Sequence, residues 1–299
     1  MISVNDLAEK FYKLTGSKEI KPAVLLMCAD QGIAKHGVSA FPQDVTLKMM
    51  GGYQEGTAAA NIMAAHAGAD VFIVDVGTVF DTDNLAAVRQ MKVARGTKDF
   101  TVGPAMSDRE VRAAMATGMQ VVKELADKGY NLFITAEMAI GNTTSTAALI
   151  SGMLGMSAEQ TVGRGSGIND ARLAVKRQVV EKGLAVNKPE QQNGLDCLKK
   201  LGGFEHAALA GAMLGAAEHH LPTVVDGVNA TAAALCAWGM DKKVTEYLFA
   251  SHLSAEPGQM AALKAMGLTP VLDAGMHLGE GTGACLLVPL LRMALKEAE

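Results

Sequence analysis

Ala23-Val-Leu-Leu-Met-Cys28, followed at once by Ala29-Asp-Gln-Gly32, decides how the rest of the chain is read. Six apolar residues are too few for an ordinary helix and suit a strand; the Asp-Gln-Gly after them is either a tight turn or the lining of a cleft. Short β-branched or apolar runs recur at residues 71–76, 132–135, 223–225, 247–249 and 270–272. Longer helical patterns alternate with them, at residues 45–67, 108–128, 145–154, 170–185, 206–219, 230–237 and 282–296. Alternation of this kind predicts an α/β fold: a mostly parallel, open, Rossmann-like sheet with helices on both faces. The chain termini are expected to add a small helical subdomain. On this reading residues 1–21 are its N-terminal helical segment, 22–283 the α/β domain and 284–299 a C-terminal helix.

The residues that close the six runs are Asp30, Asp75, Glu137, Asp226, Ser251-His252 and Asp273. In open parallel sheets the carboxyl ends of the strands form the ligand crevice. Any one of these residues reads as a helix cap or turn former. Six polar strand ends together predict one lined cleft.

The bulk chemistry narrows what could fill it. With 49% hydrophobic and 19% charged residues, the 299-residue chain can bury a large core and is not disordered. A net charge of −4 gives no electrostatic case for nucleic acid or an anionic membrane, so an anionic ligand must be held by local donors. No apolar stretch approaches the roughly 20 residues that span a bilayer, and residues 1–10 have no apolar signal core. The expected location is cytoplasmic. Cys28, Cys197, Cys236 and Cys285 are far apart, as reduced small hydrophobes would be, and no metal site is expected.

Three glycine-bearing segments could carry chemistry. Thr161-Val-Gly-Arg-Gly-Ser-Gly-Ile-Asn-Asp170 precedes a helical run containing Lys176, and Gly163, Gly165 and Gly167 would let backbone N–H groups approach a phosphate. The same loop reads equally as a flexible surface connection, since it has neither a Walker pattern nor a preceding strand. Leu278-Gly-Glu-Gly-Thr-Gly283 frames Glu280 with Gly279 and Gly281; alone it is a helix cap more often than a catalytic base. Ala136-Glu-Met-Ala-Ile-Gly-Asn142-Thr143-Thr144 runs from a strand end into a helix and offers neutral hydrogen-bonding groups beside Glu137. Ser251-His-Leu-Ser-Ala-Glu256 lacks the Gly-x-Ser-x-Gly elbow that a hydrolase triad needs.

Taken in order with Val45-Thr46, Val74-Asp-Val-Gly77, Val102-Gly-Pro-Ala-Met-Ser107 and Val225-Asp-Gly227, these segments resemble the nicotinate-nucleotide–dimethylbenzimidazole phosphoribosyltransferases of cobamide assembly. The resemblance covers nearly the whole chain from Pro22 onward. It implies a phosphoribosyltransferase that displaces nicotinate from nicotinate mononucleotide and attaches a benzimidazole or phenolic base, with inversion, without a cofactor. It implies Glu280 as the base that takes the acceptor proton and Glu137 as a second carboxylate near the ribose. Asn142, Thr143, Thr144, Gly163, Gly165, Ser166, Gly167, Lys176, Ser251, Gly279 and Gly281 would hold phosphate and ribose. Phe41, Met49, Met138 and Leu278 would line the acceptor pocket.

Three departures stand beside the resemblance. A Pro-Pro-Gly-Ser-Leu-Gly stretch typical of the family's N-terminus is missing, and the chain ends soon after its last helix. Gln31 replaces a His, and Phe41 and Met49 stand where polar residues usually face the incoming base. These departures fit one subunit of a heterodimer with a homologous chain; a homodimer is the other expectation. Two rival readings are a non-catalytic partner subunit, which would have no need of Glu280, and a nicotinamide-dependent dehydrogenase. The latter predicts Gly-x-Gly-x-x-Gly after the first strand, where this chain has Ala29-Asp-Gln-Gly32.

Overall fold

In the computed structural model, which describes residues 3–297, strand β1 (Pro22–Ala29) is buried along its whole length. Successive side chains of a strand face opposite ways, so β1 serves two apolar cores at once. Ala23, Leu25, Met27 and Ala29 enter one core, and Val24, Leu26 and Cys28 enter the other. Around it lie β2 (Asp70–Gly77), β3 (Val88–Gln90), β4 (Leu132–Met138), β5 (Thr223–Val225) and β6 (Leu248–Ala250). All pairings in this sheet are parallel, in the order β3-β2-β1-β4-β5-β6. The chain builds outward from β1 to β3 and then returns past β1 to β4. The crevice of such a sheet opens where that order reverses, outside the carboxyl ends of β1 and β4.

Helices α1 (Val4–Thr15), α2 (Val45–Glu55) and α3 (Ala59–Ala67) cover one face. The other face carries α4 (Asp108–Ala126), α5 (Asn142–Leu154), α6 (Ala158–Thr161), α7 (Asp170–Asn187), α8 (Gly194–Leu201), α9 (Phe204–Glu218), α10 (Val228–Met240) and α11 (Gln259–Ala265). The chain ends with α12 (Thr282–Cys285) and α13 (Leu287–Glu297) on the first face. Helices α1 and α13 meet there, and Leu7, Phe11, Leu291 and Leu295 share a core with Val24 and Leu26. Strands β7 (His252–Ser254) and β8 (Leu272–Met276) make a separate two-stranded parallel sheet.

Some expected elements divide or move. The pattern at 45–67 is two helices, because Gly56 ends α2 in the left-handed conformation at φ 74°. The pattern at 282–296 is also two: Pro289 has no N–H to return to the Cys285 carbonyl, and its ring crowds that carbonyl. The strand expected at 270–272 begins at Leu272 and lies outside the main sheet. Val271 and Leu272 donate to Ser251 O, and the chain then pairs with β7. Asp273 is therefore an exposed residue within β8 instead of a strand end facing the cleft. The sixth strand of the main sheet is the three-residue β3, which no apolar run announced.

Helices α4 and α9 approach each other through glycine. A Cβ on Gly118 of α4 would overlap Ala208 O of α9, and one on Gly211 of α9 would overlap Met115 O of α4. Gly118→Ala is expected to force these helices apart and cost about 1–3 kcal/mol, the usual penalty of overpacking. Gly51→Ala, in α2 with nothing within 4 Å of the added carbon, is expected to stabilise by about 0.4–1 kcal/mol. Urea unfolding of both variants checks the pair; equal shifts would mean that the glycines at α4–α9 are not required for packing.

Candidate active site

A cleft of about 430 Å³ opens at the carboxyl ends of β4, β5 and β6. Of the polar strand ends, Glu137, Asp226 and His252 line it. Asp30 and Asp75 are used inside the protein. Asp30 accepts from Thr46 Oγ1 at 2.9 Å and Val79 N at 2.9 Å, and its burial raises its pKa to about 6. Asp75 accepts from Thr78 and Thr82 and pairs with Lys92 at 3.2 Å.

Glu280 reaches the cleft from an unusual turn. Gly279, Glu280 and Gly281 are all left-handed, at φ 74°, 60° and 77°. Glycine adopts that conformation freely, whereas Glu280 is strained by roughly 1–2 kcal/mol. The turn is fastened by Asp226, which accepts from Gly281 N at 3.1 Å through Oδ2 and from Ala284 N at 2.9 Å through Oδ1. Glu280 Oε2 is buried without a hydrogen-bonding partner. Burial raises the Glu280 pKa; the nearby Tyr53 hydroxyl lowers it in part, and the charge of Asp226 raises it again. Yet neither Tyr53 Oη nor Glu280 Oε2 has a partner of good hydrogen-bond geometry.

Glu137 is the second carboxyl of the cleft and is more deeply buried. Its oxygens accept from Asn142 Nδ2 and, at 3.1 Å, from Asn229 Nδ2. Burial drives its pKa well above the ordinary value against the effect of Asn229, and Glu205, Asp226 and Glu280 push the same way. Beside it α5 begins at Gly141, at φ 95°, with no side chain capping its first turn. Asn142 N and Thr144 N there donate to Ala139 O and Gly141 O, and the positive end of the helix, with no side chain on it, faces the cleft and favours an anion.

The loop at 163–167 lies across from that helix start. Gly165 and Ser166 line the cleft together with Asn142 and Thr143. Ser166 Oγ accepts from Ala40 N at 3.1 Å, which ties the loop to the segment bearing Phe41. Gly165 N donates to Glu256 Oε1 at 2.8 Å, so a carboxylate of the protein already sits on this loop. Phe41, Val45, Met49, Met138 and Leu278 give the cleft its apolar wall.

Other expected site residues support the cleft from behind. Lys176 is fully buried, and its Nζ donates to Thr143 Oγ1 at 2.8 Å and Gly163 O at 3.1 Å. Burial lowers its pKa to about 8, with the Glu256 charge opposing. It braces the loop against α5 and does not line the cleft, which corrects the expectation of a direct anion contact. Ser251 is likewise turned inward, donating to Val225 O at 2.7 Å. Thr144, Gly163, Gly167 and Gly281 also lie outside the lining. Asn229, Ser254 and Glu256 line the cleft without having been singled out as site residues. Asn229 meets Glu137 from 92 residues away, a contact that no local pattern encodes. Among the described residues, no group of three or more His, Cys, Asp or Glu side chains could hold a metal ion, and no helix is long and apolar enough to cross a membrane.

Comparison with known proteins places this cleft in context. A phosphoribosyltransferase family model matches residues 3–299. The nicotinate-nucleotide–dimethylbenzimidazole phosphoribosyltransferase of Desulforudis audaxviator is 45% identical over 274 residues, covering 92% of this chain and 78% of that protein. The protein of the same name from Geotalea uraniireducens is 42% identical over 296 residues, covering 98% and 84%. The crystal structure of CobT from Thermus thermophilus superposes with a TM-score of 0.93 at 40% identity, over 98% of this chain and 89% of that one.

The Asp226 bridge gives a direct test of how the Glu280 turn is held. Asp226→Asn replaces one acceptor oxygen by a donor facing an N–H group. The expected loss is about 1–3 kcal/mol of stability. Amide hydrogen exchange at Gly281 and Ala284 is expected to accelerate while exchange in β1 stays slow. Unchanged protection of both amides would show that the turn holds without Asp226.

Proposed function

The chain belongs to the nicotinate-nucleotide–dimethylbenzimidazole phosphoribosyltransferase family, and from that membership we infer that it transfers phosphoribose from nicotinate mononucleotide to a lower-ligand base in cobamide assembly. It is a glycosyltransferase of the pentosyl class. The observation that carries the assignment of roles is the meeting of two carboxyls, Glu137 and Glu280, on one cleft beside the uncapped start of α5.

The reaction breaks the bond between the anomeric carbon and the pyridinium nitrogen. Nicotinate leaves with that electron pair and becomes neutral at nitrogen, so no acid is needed to expel it. A lone pair of the acceptor forms the new bond on the opposite face of the ribose, and the acceptor proton passes to Glu280. The raised pKa of Glu280 makes it a stronger base. The ribose carries positive charge in the transition state, and Glu137 is the carboxylate that faces it. The phosphate lies at the start of α5 and on Gly165 N–H, taking over the donor that Glu256 now holds. Thr143 and Ser166 complete that end, and Lys176 keeps the two segments together. A cytoplasmic location belongs to the same reading. So does a dimer, either of two copies or with a homologous subunit.

The rival readings are not favoured. Asp30, where a dinucleotide-binding loop would start, is engaged by Thr46 and Val79. A purely supporting subunit would not need the strained Glu280 turn.

Glu280→Gln is expected to keep nucleotide binding and to lower kcat by about 10²–10⁴. In the unsubstituted protein kcat is expected to rise with pH as Glu137 and Glu280 lose their protons, both pKa values being raised by burial. The midpoint should lie above the ordinary glutamate value of 4.5, since burial raises the pKa. Nicotinate release followed across pH checks both; a folded Glu280→Gln protein with near-normal turnover removes Glu280 from the base role.

The apolar wall governs the acceptor. Phe41 and Met49 offer no hydrogen bond to the amine of an adenine, and a buried polar group without a partner costs about 1–3 kcal/mol. Competition between equal dimethylbenzimidazole, p-substituted phenol and adenine is expected to favour the first two, with or without a homologous subunit. Adenine winning in both settings would overturn this account of the wall.

A further inference from the structure

Behind Glu137 runs a line of buried polar groups that the transfer chemistry does not use. His206 Nε2 lies 2.8 Å from Thr146 Oγ1, Thr146 Oγ1 lies 2.7 Å from Asn229 Oδ1, and Asn229 Nδ2 lies 3.1 Å from Glu137 Oε1. Thr146 and His206 are fully buried and line no part of the cleft. The far end is held by Glu205 Oε1, 2.8 Å from His206 Nδ1, and by Gln31, which donates to the same oxygen and accepts from Ser145.

The direction of this line follows from proton counting. A carboxylate only accepts, so the nitrogen of the Asn229 amide must face Glu137 and its oxygen must face Thr146. A threonine hydroxyl has one proton. Once it is given to Asn229, Thr146 must accept from His206, whose Nε2 therefore carries hydrogen. Each group fixes the orientation of the next, and the end result is an N–H aimed at a carboxyl of the cleft.

We propose that Thr146 and His206 are positioning residues for phosphoribosyl transfer: they lock the Asn229 amide so that it always donates to Glu137, holding that side chain as an oriented anion beneath the ribose. The proposal rests on the transferase reading above. Without the Thr146 hydroxyl the amide keeps only its bond to Glu137 and turns more readily, and an oxygen facing Glu137 favours its protonated form. A neutral Glu137 would still accept the nucleotide but would not stabilise the charge that develops on the ribose.

Keeping Glu137 ionised requires such a device because of its surroundings. Glu205 of α9, Asp226 after β5 and Glu280 before α12 face it with like charge, and the Cys28 thiol of β1 and the Tyr53 hydroxyl of α2 lie within reach of its charge. Against these, among the described residues, stand two neutral donors, Asn142 at the start of α5 and Asn229 in α10. Burial and the surrounding carboxyls both raise its pKa, and the Asn229 bond is what lowers it.

The test is Thr146→Val, which keeps the shape and removes the hydroxyl, with Thr146→Ser, which restores it. kcat and KM for nicotinate mononucleotide are measured across pH, with urea unfolding of each protein. In Thr146→Val, kcat at neutral pH is expected to fall about 10- to 100-fold, the worth of a hydrogen bond to a charged group. KM should stay within about twofold, on the view that the bond matters in the transition state and not in binding. The acid limb of kcat should move to higher pH, and Thr146→Ser should return it. A Thr146→Val limb that superposes on the wild type, or a loss shared by kcat and KM in step with lost stability, overturns the proposal and leaves Thr146 a packing residue. Absence of nicotinate release from the unsubstituted protein would instead overturn the transferase reading itself.

Discussion

Strand β1 has no charged or hydrogen-bonding side chain beyond its one thiol and is buried on both faces, so everything polar near the middle of the sheet is pushed to the strand ends. The reversal of strand order between β1 and β4 then leaves a gap between the connections at those ends, and the cleft occupies it. Asp30 and Asp75, on the β1–β2 side, are consumed by threonines and backbone N–H groups that close the sheet. Glu137 and Asp226, on the β4–β5 side, remain at the cavity. The division of labour among four acidic residues thus follows from topology.

The two carboxyls of the cleft are desolvated differently. Glu137 is enclosed by the sheet and receives two side-chain amides. Glu280 is only partly buried, on a turn with three consecutive left-handed residues, and one of its oxygens has no donor. The fixed amides orient Glu137 and, through Asn229, offset part of the burial that raises its pKa, so it is placed to meet positive charge in the cleft. A carboxylate without such donors is suited to take a proton from an incoming group. Separating two otherwise similar groups by environment is the general way one fold runs two roles at one pH. Asp226 joins the two arrangements. It faces Glu137 as a like charge while holding the backbone of the Glu280 turn, so distortion at β5 would reach both.

Much of this architecture was legible in the chain. Five of the six apolar runs are strands of the main sheet, because strands buried on both faces must be apolar throughout. Pro270–Leu272 misled for the same reason: apolarity marks burial but does not name a pairing partner, and the segment pairs with β7. The strand β3 escaped notice because three residues, Val88-Arg-Gln90, bear no pattern, and pairing to β2 alone makes them a strand. Gly56 and Pro289 were both visible as helix breakers, yet the apolar periodicity around them was continuous enough to conceal two breaks.

The sequence by itself determined the fold class and predicted a strand-end cleft, and it drew attention to Glu137 and Glu280 through segments that resemble a known family. Glycines flanking an acid, or an apolar run ending in one, are local facts. Tertiary structure alone decided which polar residues face the cavity. Lys176 had the chemistry of an anion contact, but α7 buries its ammonium behind the loop, where Thr143 and a carbonyl satisfy it. Asn229 had no signal at all, because its meaning depends on α10 beginning beside β4. Hydrogen bonds are directional over about 3 Å, and that precision arises only after distant helices have packed.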